Sequence, residues 1–306
     1  GKNQGVNNDP HVTPLKHNEI IPFVDNTPFI VEQQRWTSWF EKHSLQNMQD
    51  VVEWAKQDLA RKGKWMPDAC YADAFRKVYL ERQSWVGDAV IMLTTSGNGI
   101  DFIFNRLGLE NFSYLMFDYP ELLAGWLDAY VGAEIRRIHA IADNKLSPCV
   151  LVYSDIAYKG NLIFSPDFIR KEMVPRQKKI CDAWHEHKIK CLFHSDGYLM
   201  DILPDLISAG IDGLNPIETI AGMSLKEVRR LYGNKLFLSG GIDISQLMPL
   251  GTPEQVREAC FQAIEDAGPT GYFIGSTSEL HDSIPLANMI ELMNAPENYL
   301  KKQAQA

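Results

Sequence analysis

From Asp88 onward the sequence keeps one rhythm, in which short β-branched runs alternate with longer stretches of helical spacing. Strands are expected at 89–95, 149–155, 190–194, 213–217, 236–238 and 271–274. Helices are expected at about 100–107, 119–142, 166–187, 199–209, 224–232, 253–267 and 284–294. Strands separated by a helix cannot form tight hairpins, so the pattern calls for parallel strands joined by crossover helices. An open doubly wound sheet and a closed eight-stranded barrel both satisfy it. No Gly-x-Gly-x-x-Gly opens a helix after a strand, and 306 residues suit a barrel. The expected fold is a (β/α)8 TIM barrel with an N-terminal helical extension. About six strands stand out, so the others either hide in the irregular N-terminal third or precede the chain.

That N-terminal third reads differently. Residues 1 to about 25 are polar and look like a surface arm. Over 36–64 the apolar spacing is helical, with Asn47, Met48, Val51, Val52, Trp54, Ala55, Leu59 and Ala60 recurring at three- and four-residue steps. Another short helix is expected at 71–83. Residues 1–70 are therefore read as an arm and helices packing on a barrel formed by 71–306. Trp36, Trp39, Trp54 and Trp65 are read as packing residues. Start signals are good further on. Ser165-Pro166 and Thr252-Pro253 place a cap before a first-turn proline, and Thr252/Gln255 and Ser224/Glu227 fit capping boxes. Pro175 should kink its helix.

Composition narrows the function. Lys plus Arg is 30 against 39 Asp plus Glu, a net charge of −9 with no basic block. Nucleic acid and anionic membrane surfaces are poor partners for such a chain. No apolar run approaches the length of a spanning helix. The five cysteines are odd in number, scattered and free of Cys-x-x-Cys pairs, which argues against a disulfide framework or a zinc knuckle. Cytoplasmic residence is the expectation.

Barrel chemistry sits at the C-terminal ends of the strands. There the sequence places Tyr153, Ser154 and Asp155, then His194, Ser195 and Asp196, then Glu218, then Asp243 after two glycines. The last strand leads into Ser276, Glu279 and His281. His194 and Asp196 are two apart, so on an extended chain they point to the same side. An imidazole and a carboxylate so placed can share a metal or move a proton. Glu218 reads as an acid/base or metal ligand, or else as an ion-pair residue. Asp243 reads equally well as a ligand contact or as a turn-stabilising side chain. His185 and His187 read as favourable charges at a helix C-terminus. The Gly240-Gly241 and Gly275–Ser278 loops leave a phosphate site open, though nothing basic lies near them.

Several blocks together resemble the uroporphyrinogen decarboxylase (URO-D) superfamily. They are His194-Ser-Asp-Gly-Tyr-Leu, the run 206–218 ending Gly-Leu-Asn-Pro-Ile-Glu218, and Ser239-Gly-Gly-Ile-Asp243 before Gly251-Thr-Pro-Glu. Gly275-Ser before Pro285-Leu-Ala-Asn288, the run 107–112, and Tyr119-Pro-Glu121 agree, so the resemblance spans about 88–297. It implies a (β/α)8 barrel and one of two chemistries. One is cofactor-free decarboxylation of a polycarboxylated porphyrinogen. The other is methyl transfer with a corrinoid (cobalamin) protein.

The decarboxylase's arginine- and glycine-containing N-terminal block is not found here, so the resemblance points to the methyltransferase branch. Thiol-methylating members of that branch look like His-x-Cys with a later Cys and a Glu on zinc. Here the His matches His194 and the Glu matches Glu218, while Asp196 stands at the first Cys position. The 278–281 region holds no cysteine. A harder set of His194, Asp196, Glu218 and His281 suits a divalent ion, Zn2+ included, that grips oxygen.

The resulting expectation is a corrinoid-dependent methyltransferase acting on a small methylated substrate. Asp155, His194 and Glu218 would be catalytic. Tyr153, Asp196, Tyr198, Asp243 and Ser276 would contact substrate. The partner would be a corrinoid protein, and a homodimer is an open expectation. A decarboxylase and a non-catalytic ligand- or corrinoid-protein-binding barrel are the rivals.

Overall fold

A computed structural model describes the backbone of residues 21–24, 29–33, 38–95 and 97–305. The expected arm over residues 1–20 and the packing role of Trp36 lie outside the described residues. The chain divides into two compact units. One joins the described residues up to 63 with 100–129, and the other joins 64–99 with 130–306.

The first unit carries a three-stranded antiparallel sheet, β1 (Ile21–Val24), β2 (Phe29–Gln33) and β3 (Ser38–His43), in that order. This corrects the helical reading of 36–64. The helix α1 spans Met48–Lys64, while Ser38–His43 pairs with β2. A helix-like aromatic spacing is overridden by cross-strand hydrogen bonding. Of the positions in that periodic set Val51, Val52 and Ala55 are buried, while Met48, Trp54 and Leu59 are half-buried and Ala60 is exposed. Asp58, one turn further, is also buried. Its carboxylate accepts from Trp126 Nε1 at 2.8 Å and from the Arg61 guanidinium. Trp54 packs edge-on against Trp126, with ring centroids 5.1 Å apart. Helix α3 (Ile100–Asp118) outruns the expected 100–107, because the chain breaks helical geometry only at Gly108 and then resumes. Helix α4 (Pro120–Ile141) follows and runs on into the second unit.

The second unit opens with α2 (Ala69–Val86), capped by Asp68, whose side chain accepts from Tyr71 N at 2.8 Å. Its body is one parallel sheet of six strands. These are β4 (Leu93–Thr95), β5 (Cys149–Tyr153), β8 (Lys190–His194), β9 (Gly213–Asn215), β10 (Phe237–Ile242) and β11 (Tyr272–Ser276). Their order is β11-β10-β9-β8-β5-β4, so each strand lies beside its predecessor in the βα sequence. The six strands read from the sequence are these six. A two-stranded hairpin, β6 (Ala157–Tyr158) and β7 (Asn161–Leu162), follows β5 and was not foreseen.

The crossover elements bury their apolar faces on this sheet. Helix α5 (Pro166–Phe168), capped by Ser165, passes through a π turn at Ile169–Met173 into α6 (Val174–Glu186). The π turn precedes Pro175, which has no N–H to continue the ladder and clashes with the preceding turn, so the expected kink takes this form. Next come α7 (Leu203–Ser208), α8 (Leu225–Tyr232) and α9 (Leu247–Leu250), then α10 (Pro253–Ala267) with its complete Thr252/Gln255 capping box, and α11 (Leu286–Gln305). Val150, Val152, Cys191, Phe193, Leu214 and Leu238 form the core side of the sheet. Among the described residues no helix is long and apolar enough to cross a membrane.

Candidate active site

Strand register builds the site. Tyr153 pairs with His194 and His194 with Asn215. The β9–β10 register carries the row on to Ser239, which pairs with Phe273. Five strands thus present one row of side chains on the same face. None of the five is fully buried. Two residues beyond Tyr153 and His194, on the same side, come Asp155 and Asp196.

His194 is fixed from below. Its Nδ1 lies 2.6 Å from Asn215 Oδ1, and Asn215 Nδ2 donates to Ser239 Oγ at 3.2 Å. An amide oxygen only accepts, so Nδ1 carries a proton and Nε2 is left to face the strand ends. Nε2 lies 3.8 Å from Asp155 Oδ1. The Tyr153 ring leans on the imidazole, with centroids 5.0 Å apart.

Four carboxylates act on this imidazole or on one another: Asp155, Asp196, Glu218 and Glu279. Asp196 is pushed up to about 6. Burial is the largest cause. The His194 charge opposes it, and the negative charges of Asp155, Glu218 and Glu279 add to it. Burial, with Glu279 and Asp155, also raises the Tyr153 hydroxyl. Glu279 itself is lowered, by the Ser278 hydroxyl first, then by its own backbone and by His194. Asp155 and Asp196 each keep a buried Oδ1 that no protein donor reaches. Such oxygens are a demand for a ligand proton or cation.

Loop geometry holds these groups in place. Glu218 Oε2 accepts from Gly197 N at 2.7 Å, tying the loop after β8 to the end of β9. Gly197 has φ 90°, and a Cβ there would sit 2.5 Å from the Ala157 carbonyl carbon. Only glycine lets the His194-Ser-Asp-Gly turn pack on the hairpin.

The remaining expected residues lie less centrally. Asp243 accepts from Ser245 N and Oγ and from Gln246 and Leu247 N, so its carboxylate is the turn-stabilising one. Ser276 Oγ donates to Ser278 O. Tyr198 packs beside Gly222. His281 is exposed in the loop after β11. Asn215 and Glu279 were missed. Glu279 had a signal, since it follows the last strand, whereas Asn215 becomes visible only through register.

The set does not fit a divalent ion as it stands. One Glu218 oxygen is committed to Gly197 N, and the ligand atoms of His194, Asp196 and Glu218 do not gather within 4.8 Å of one another. Zinc ligands need closer convergence than that.

Comparison with known proteins follows the same blocks. The family model described as uroporphyrinogen decarboxylase (URO-D) matches residues 104–299. Methylcobamide:CoM methyltransferase MtbA of Methanosarcina mazei is 22% identical over 186 residues, 60% of this chain and 51% of that protein. The protein of the same name from Methanosarcina acetivorans is 22% identical over 187 residues, with the same coverage. The chain thus spans about half the length of these curated relatives. A solved methyltransferase from Methanosarcina mazei superposes with TM-score 0.60 at 20% identity, covering 72% of this chain and 63% of that one.

Proposed function

The chain belongs to the uroporphyrinogen decarboxylase (URO-D) family, and from that premise we propose that it is a methyltransferase that moves a methyl group between a small methylated substrate and a corrinoid carried by a partner protein. The activity for which the curated relatives are named supports the reaction class. The convergence of His194 with four carboxylates at the strand ends supports the residues. We propose as well that the six parallel strands are part of a closed (β/α)8 barrel, a reading favoured by their consecutive order.

The corrinoid, as co-substrate, supplies the nucleophile for the methyl carbon. This chain's residues then have three tasks. Tyr153 and Asp155 line the entrance and position the substrate. Asn215 holds the His194 imidazole, with Nε2 toward the opening. His194 and Asp196 manage the proton needed by the oxygen or nitrogen that loses the methyl group, as positioned acids do. Glu218 keeps Asp196 in place through Gly197 N. A polycarboxylate porphyrinogen would meet four carboxylates here, and that repulsion disfavours the decarboxylase reading.

The test is methyl transfer from a panel of methoxy and methylamino donors to reduced cobalamin, comparing the native chain with His194→Ala. Transfer should be lost in the variant while its thermal midpoint stays within a few degrees. Unchanged transfer in the variant would remove His194 from the mechanism, and no transfer by the native chain would remove the reaction.

A further inference from the structure

At the opposite end of the sheet, three residues that sequence distance had kept apart come together. His185 ends α6, Cys191 begins β8, and Asp212 precedes β9. Each offers one ligand atom, and the three atoms lie within 4.8 Å of one another. The Cys191 thiol is fully buried. We propose that His185, Cys191 and Asp212 form a three-ligand binding site for one divalent, thiolate-accepting cation of the Zn2+ type, with a fourth position left to water.

Four observations carry this. One sulfur, one imidazole nitrogen and one carboxylate oxygen, with water in the fourth position, make a zinc donor set. The outer contacts that orient such ligands are in place. Asp212 accepts from Lys190 Nζ at 2.6 Å and from Cys191 N at 2.9 Å.

Charge balances too. The Asp212 carboxylate and a Cys191 thiolate together would match the charge of one divalent ion. Finally, there is a way in. His185 and Asp212 keep partial exposure, and Asp212 with Lys190 lines a surface cleft of 390 Å³. A proton stands where the cation would. His185 Nε2 lies 2.7 Å from Asp212 Oδ2. Metal entry displaces that proton.

The site is independent of the proposed function, and its test reads sulfur ligation rather than turnover. Chelator-stripped, reduced protein is titrated with Co2+. A thiolate-to-cobalt charge-transfer band with intense visible bands should saturate at about one ion per chain. The band should vanish in Cys191→Ser and His185→Ala, and persist in His194→Ala. In parallel, Zn2+ should raise the thermal midpoint of the native chain. Absence of the thiolate band in folded native protein, an unchanged band in Cys191→Ser, or no thermal shift with Zn2+ would each overturn the proposal.

Discussion

Replacing Asp196 by Asn should make the fold more stable, and increasingly so as pH rises. The Asp196 carboxyl is pushed up to about 6 by burial and by Asp155, Glu218 and Glu279, against an unfolded value near 3.8. The folded state therefore holds this proton more tightly than the unfolded one. Its contribution to stability is full below about pH 3.8 and is lost as pH rises through about 6. A difference of that size corresponds to about 3 kcal/mol at most. Solvent still reaches the group, so screening reduces the expected gain to about 1–1.5 kcal/mol above pH 7. About half of that gain accrues between pH 5 and pH 8. Asparagine keeps the shape and never ionises, so the variant-minus-native difference isolates this one group. The assay is denaturant unfolding of both proteins at pH 5 and pH 8. A difference that is flat with pH, or that shrinks toward pH 8, would refute the claim that uncompensated negative charge crowds Asp196.

Two further perturbations test the frame around the site. Gly240→Ala places a Cβ 1.8 Å from Pro216 O at a φ of 98°, so backbone must move at the β9–β10 end. It should cost about 3 kcal/mol or more, and wild-type unfolding of that variant would contradict the packing. Asp58→Ala strips the buried Trp126 Nε1 of its acceptor and should cost about 1–3 kcal/mol. Urea unfolding followed by tryptophan fluorescence measures it, and no change in midpoint would show that water replaces the carboxylate.

The parallel sheet was legible because βα alternation is a local signal. Each of the six strands announced itself by a short apolar run bounded by turn residues, and Lys190–His194 matched to the residue. The strand-end rule then pointed to Asp155, His194, Asp196 and Glu218 without structural help. What stayed hidden depends on pairing. Asn215 looked like part of a strand-ending Asn-Pro, and only the β8–β9 register places it under His194. Glu279 and His281 followed the same strand, and the sequence offered no reason to prefer the carboxylate over the imidazole. Ser38–His43 was misread because its spacing fits a helix, whereas its hydrogen-bond partner lies in β2. His185, Cys191 and Asp212 look scattered in the sequence because helix and crossover lengths decide their meeting.

The two ends of the sheet treat their acids in opposite ways, and this difference locates the chemistry. At the N-terminal end Asp212 is saturated by an ammonium, an imidazole and a backbone N–H, and its carboxyl lies below the ordinary range because those donors outweigh its burial. A carboxylate held in that way stabilises the fold, or a bound ion. At the C-terminal end Asp155 and Asp196 keep buried oxygens without donors, and Asp196 is driven up rather than down. Leaving acids uncompensated costs stability, as the Asp196→Asn experiment is designed to read. Folding alone gives no reason to keep two such acids beside one oriented histidine, so the cost is explained by what the strand ends do to a ligand.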